Sequence, residues 1–254
     1  MNISLRLFFT ALTVVLLGAC ATVPNSAPGT PKTAGQSVDP WENWNRKVFA
    51  FNDAVDEAVL KPVATAYRNV VPQLVRTGVS NFFGNIGDIW SAANHLLQGK
   101  LAGSMEMGMR VLTNTFFGLG GILDPATELK IERRPEDFGQ TLAVWGVGNG
   151  PYIVLPLLGP STLRDTAALP LDRYATTASI YIPDINNYVV TPLQIISLRS
   201  ELLSTTTLLD QVALDRYSFV RDAYLSRRLD QTYDGAPPLE SFDDEPDPAA
   251  PKKK

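Results

Sequence analysis

Two consecutive segments, Thr77–Gly99 (TGVSNFFGNIGDIWSAANHLLQG) and Lys100–Thr127 (KLAGSMEMGMRVLTNTFFGLGGILDPAT), decide how this chain folds. Of these 51 residues only Asp88, Lys100, Glu106, Arg110 and Asp124 carry charge, against 19% of the whole chain. On a helical wheel Val79, Phe82, Phe83, Ile86, Ile89, Trp90, Ala93, Leu96 and Leu97 share one arc roughly 140° wide. Asn81, Asn85, Asp88 and His95 fall almost opposite, and Ser80, Gly84, Gly87, Ser91, Asn94 and Gln98 fill the third arc. The pattern predicts an amphipathic helix whose polar side is amide, hydroxyl and glycine, not the Lys and Glu of a helix facing bulk water. Two readings stay open. One is a core helix covered on two sides. The other puts the apolar side toward lipid or core and the uncharged polar side around something enclosed.

Working outward, Gly99 is a helix stop, and a second helix is predicted from Leu101 to Phe117. Leu101, Met105, Met109, Leu112 and Phe116 form its stripe, with Glu106 and Arg110 as an i,i+4 pair elsewhere. Gly118, Gly120 and Gly121 break it and are read as a hinge or a tight turn, as are Gly146, Gly148 and Gly150 further on. Upstream, Asp39-Pro40-Trp41-Glu42 predicts a helix start with Asp39 as N-cap and Glu42 as its capping-box partner. Trp41 and Trp44 suit either a core or a headgroup zone. Pro62 and Pro72 are expected to break the helices there. Seven of the ten residues Glu128–Asp137 are charged, which reads as a solvated loop. Gly139 to Leu163 carries no charge yet is interrupted by Gly and Pro, so it is not a transmembrane helix. Its Gly146–Gly150 run lacks the Lys-Ser/Thr and the strand–turn–helix setting of a phosphate loop. A helical pattern resumes from Leu193 to Leu229, with a polar interruption at Ser204–Thr207. Alternating, strand-like runs are few, so the fold class is mainly α.

The ends differ from the middle. Residues 1–19 read as a signal peptide: Arg6 precedes an apolar run, Leu7–Leu17, too short to span a membrane. Leu17-Gly18-Ala19-Cys20 resembles a bacterial lipobox, which implies lipidation at Cys20 and, with Ala21 following, an outer-membrane destination. Residues 20–38 form a lipidated N-terminus and Pro-containing tether, 39–233 one helical domain, and 234–254 a disordered, acidic, Pro-rich tail. A net charge of −4 with no basic patch argues against a nucleic-acid partner.

Covalent chemistry finds little to stand on. Cys20 is the lone cysteine, so neither a disulfide framework nor a cysteine metal cluster exists, and no metal constellation is visible. His95 is the lone histidine, set mid-helix on the amide face beside Asp88, and no G-x-S-x-G occurs. The expectation is no catalytic residue, no metal and no cofactor beyond the covalent lipid. A lipid hydrolase is the minority alternative.

Several motifs together resemble the MlaA (VacJ) family of outer-membrane lipoproteins. They are Asp39-Pro40-Trp41-Glu42 with Asn45-Arg46 and Phe51-Asn52; Ser80-Asn81-Phe82 with Gly84-Asn85; Asn114-Thr115 with Gly118-Leu119-Gly120-Gly121; Glu136-Asp137-Phe138-Gly139-Gln140-Thr141; and Trp145-Gly146-Val147-Gly148 through Leu155-Pro156 to Arg164-Asp165. The match thins from Thr166 onward. The resemblance implies a helical ring lying in the inner leaflet of the outer membrane, around a central amphipathic channel. It implies removal of mislocalised phospholipids from the outer leaflet, delivery to a soluble periplasmic carrier, and a trimeric porin as membrane partner. Asn81, Asn85, Asp88 and His95 are then the expected channel lining. An envelope scaffold that organises porins is the rival reading.

Overall fold

The computed structural model describes residues 39–178 and 189–237. The expected signal peptide, Cys20 with its tether, and the tail beyond residue 237 lie outside the described residues. What is described belongs to one compact unit, Ser37–Pro237.

The elements are α1 (Glu42–Val55), a π-helical turn (Asp56–Leu60), α2 (Lys61–Val70), α3 (Gln73–Leu97), α4 (Leu101–Phe116), the short α5 (Pro125–Glu128), α6 (Phe138–Val144), β1 (Tyr152–Leu155), β2 (Gly159–Thr162), α7 (Leu163–Ala178), α8 (Thr191–Val212) and α9 (Arg216–Thr232). The mainly helical expectation holds. Helices α3 and α4 form an antiparallel pair across Gly99, whose φ of +77° provides the left-handed residue that ends α3.

Several local expectations need correction. Asp39 does not cap α1: Trp41 occupies the N-cap, and the buried Asp39 carboxylate instead accepts from Asn45 Nδ2 (2.8 Å) and from the Tyr217 hydroxyl. Pro62 does not stop the chain's helical course, because it sits in the first turn of α2, where a missing N–H costs nothing. Helix α8 runs straight through Ser204–Thr207, and the break falls at Ala213–Asp215. Thr206 and Thr207 hydroxyls donate back to Leu202 and Leu203 carbonyls, which satisfies them inside the helix.

The uncharged Gly/Pro block holds an antiparallel hairpin that periodicity did not reveal, with Tyr152 opposite Thr162 and Leu155 opposite Gly159. A two-stranded ribbon is marginal alone. Here α1 completes it. Asn45 donates to Tyr152 O (3.1 Å) and accepts from Val154 N–H (2.8 Å), and Asn52 donates to Leu155 O (2.9 Å) and accepts from Leu157 N–H (2.7 Å). Seven residues apart, the two asparagines lie on one face of α1, and their amides stand in for a third strand. Val48, between them, packs with Tyr152, Val154 and Tyr217 as the apolar cluster of this region.

Elsewhere the usual partition is inverted. Among the described residues eighteen polar or charged side chains are buried against ten apolar ones. Every member of the α4 stripe faces outward: Leu101, Met105, Met109, Leu112 and Phe116 are 56–75% exposed. The inward side of α4 carries Met107, Arg110 and Asn114. Ile89, Leu96 and Leu97 of α3 are exposed as well. Exposed apolar surface on this scale is abnormal for a protein surrounded by water. Among the described residues, no helix is long and apolar enough to cross a membrane.

Candidate functional site

The polar interior is built where α3 meets α4, the glycine turn and the charged loop 129–137. Arg110, wholly buried on α4, organises one half of it. Its guanidinium donates twice to Asp124 (both 2.9 Å), once to Asp88 (3.3 Å), once to Thr127 Oγ1 (3.3 Å) and to the Ile131 carbonyl. Asn114, one turn further on, donates to Asp124 (2.9 Å) and accepts from Ala126 N–H (3.0 Å). Asp124 also caps α5 through Thr127 N–H. Burial pushes its carboxyl up, but the donors from Thr127 and Asn114 and the charge of Arg110 prevail and hold it below the ordinary range. The expected Glu106–Arg110 pair does not form: Arg110 points inward, and Glu106 lies 3.6 Å from Arg134.

The four residues expected to line a channel all lie here. Asn81 is half-buried and donates to the Ile122 carbonyl (3.1 Å), and Asn85 donates to Thr115 Oγ1 (3.2 Å). Asp88, 1% exposed, pairs with Arg110 (3.3 Å) and Arg133 (3.0 Å). His95, 2% exposed, donates from Nε2–H to the Arg134 carbonyl (3.1 Å). In this structure Asn85, Asp88 and His95 are buried and each bonds a protein group. The reason is electrostatic. A carboxylate on a low-charge helix is stable out of water only with partners, and α4 and the loop bring two arginines to it. Burial still dominates, and the Asp88 carboxyl is raised despite Arg133 and Arg110.

The glycines make these approaches possible. Gly120 N–H donates to Thr115 O (3.0 Å) and Gly121 N–H to Asn114 O (2.9 Å), so Gly118, Gly120 and Gly121 form a tight turn that ends α4. At Gly121, with φ +92°, a Cβ would stand 2.7 Å from Asn85 Nδ2. Gly146 (φ +92°) ends α6, exposed Gly148 follows, and Gly150 (φ +65°) leads into the hairpin.

The loop 129–137 is not simply solvated. Glu136 is buried, its carboxylate accepts from Gln98 (2.9 Å) and Lys100 (3.3 Å), and its backbone N–H donates to Ser91 Oγ (3.1 Å). Burial raises its carboxyl despite those donors. Asp137 caps α6 through Gln140 N–H (2.8 Å) and meets Arg228 of α9. That arginine holds two carboxylates at once: Nη1 and Nη2 bond Asp137 (2.6 and 3.0 Å), while Nε and Nη2 bond Asp165 (both 2.9 Å). Asp165 further accepts from Tyr224 OH (2.8 Å) and Arg164 Nε (3.0 Å). Burial would raise it, but its donors outweigh that and hold it low. Sequence reasoning missed Arg110 and Arg228. The available signal was scarcity: Asp88, Arg110 and Asp124, three of the five charges in Thr77–Thr127, meet in one cluster.

Comparison with known proteins matches this architecture. The family model described as MlaA lipoprotein covers residues 37–231. The chain is 38% identical over 229 residues, 88% of its length and 87% of the relative's, to the intermembrane phospholipid transport system lipoprotein MlaA of Escherichia coli K12. It is 31% identical over 231 residues, 87% and 89% of the two lengths, to the protein of that name from Haemophilus influenzae. A solved structure, described as the structural basis for maintenance of bacterial outer membrane lipid asymmetry, superposes with a TM-score of 0.63 at 35% identity, covering 78% of this chain and all of that one. On these grounds the chain belongs to the MlaA lipoprotein family.

Proposed function

We propose that this protein is an outer-membrane lipoprotein that removes mislocalised phospholipids from the outer leaflet and passes them to a soluble periplasmic carrier, so maintaining lipid asymmetry. The observation that carries the reading is the inverted partition: an apolar exterior around a polar, hydrogen-bonded interior, without a membrane-crossing helix among the described residues. An apolar exterior is stable when acyl chains cover it. A polar interior lowers the cost of bringing a charged headgroup below the membrane surface. The names of its relatives support phospholipid as cargo. Anchoring through lipidated Cys20 and a trimeric porin as membrane partner belong to the same proposal. Moving a lipid requires no covalent step, so no side chain needs a catalytic role.

The test is outer-leaflet phospholipid in cells lacking the protein, read with an outer-leaflet acyltransferase reporter. Phospholipid is expected to accumulate, and wild type, but not Cys20→Ala, is expected to clear it. A leaflet unchanged by deletion would overturn the reading and favour a scaffold that organises porins.

A further inference from the structure

Whereas Arg110 is wholly buried, Arg133 is the cation of the polar cluster that reaches solvent. Its side chain is 34% exposed, yet its guanidinium is held on two sides. Nε donates to Asp88, 3.0 Å from Oδ1 and 3.2 Å from Oδ2. The plane lies so close against α3 that a Cβ on Gly84 would stand 2.5 Å from Nη1 and 2.8 Å from Nη2. Among the described residues Nη1 and Nη2 have no hydrogen-bond acceptor, and the space above Gly87, one turn along on the same side of α3, is open. A surface arginine ordinarily loses rotamer freedom when it binds a ligand. This one has its plane fixed beforehand, and its two terminal nitrogens keep donors that no protein acceptor takes.

We propose that Arg133 is the phosphate contact for the phospholipid headgroup, positioned by Asp88 and Gly84. The inference rests on the lipid-transport reading above and names the part of the cargo that is recognised. A guanidinium fork matches a phosphodiester's oxygens, and Arg is the residue suited to planar, two-point anion recognition. The charges also set the strength. Arg110 and Arg133 face Asp88 and Asp124, so a bound phosphate brings one uncompensated negative charge. The contact is therefore weak, as a site that must hand its ligand on requires.

The experiment uses the purified full-length protein in detergent and compares phosphatidylglycerol with diacylglycerol of the same acyl chains. Wild type is expected to prefer the phosphate-bearing lipid about tenfold, the ratio that about 1.4 kcal/mol produces. Arg133→Gln should reduce that ratio to about twofold or less while leaving diacylglycerol binding unchanged, and Arg133→Lys, which keeps the charge but not the fork, should fall between them. Gly84→Ala leaves the arginine in place but displaces its guanidinium, so it should lower the ratio likewise. Millimolar inorganic phosphate should not abolish the preference; if it does, the site serves a soluble anion and the inference falls. A preference unmoved by Arg133→Gln also overturns the inference while leaving lipid transport standing. Binding of neither lipid by wild type overturns both.

Discussion

Replacing Arg228 by Ala tests whether the buried clamp between α9, α6 and α7 holds the domain together. The change removes four charge-assisted hydrogen bonds and leaves Asp137 and Asp165 facing each other. Breaking a buried pair by deleting one partner costs about 3–5 kcal/mol. Asp137 has 37% side-chain exposure and is relieved by water, and Arg164 still reaches Asp165 at 2.9 Å, so the lower figure, about 3 kcal/mol, applies. For a domain of this size that lowers the melting temperature by about 6–12 °C. The pH dependence has a definite sign. In wild type the Asp165 carboxyl lies below its unfolded value, against the upward push of burial. Its contribution is thus present above about pH 3.9 and lost as pH falls through the folded value. In Arg228→Ala burial acts with fewer opposing donors, so Asp165 takes up a proton at higher pH. The gap between variant and wild type should be widest from about pH 5 to 8 and narrow on further acidification. Circular dichroism melts of the detergent-solubilised protein measure this. A variant melting within about 2 °C of wild type from pH 5 to 8 would refute the reasoning, because it would mean that water already screens the clamp.

Two further substitutions test how the interior is assembled. Asn45→Asp should destabilise by about 3 kcal/mol or more at neutral pH, because a carboxylate there offers no donor to Tyr152 O and lies beside the buried Asp39 carboxylate, 2.8 Å from the present amide; retention of the wild-type urea midpoint would count against α1 acting as a surrogate strand. Gly139→Ala puts a Cβ 2.5 Å from Asp165 Oδ1 and 2.8 Å from Arg228 Nη2, so about 1–3 kcal/mol should be lost through overpacking, and the loss should be smaller in the Arg228→Ala background, where one of the two contacts is gone and Asp165 can shift; simple additivity in a double-mutant cycle would show that the two do not share one site.

Much of this protein was legible without coordinates. The sparse charge of Thr77–Thr127, the stripes of α3 and α4 and the stop at Gly99 specify a helical pair, because each depends only on residues a turn or two apart. The motifs from Asp39 to Asp165 were enough to mark the family. Periodicity could not say which way a stripe points. Leu101, Met105 and Phe116 form the same pattern whether they face a core or the outside, and here they face out. Nor could spacing reveal that Asn45 and Asn52 complete a hairpin more than a hundred residues away. The charged loop 129–137 read as solvated because charge ordinarily seeks water; only tertiary structure brings Arg228 to Asp137 and Lys100 to Glu136. The division has one physical cause. Local sequence determines backbone periodicity and caps, which are short-range. Whether a polar group is buried turns on partners far along the chain, and those contacts exist only once the helices have packed.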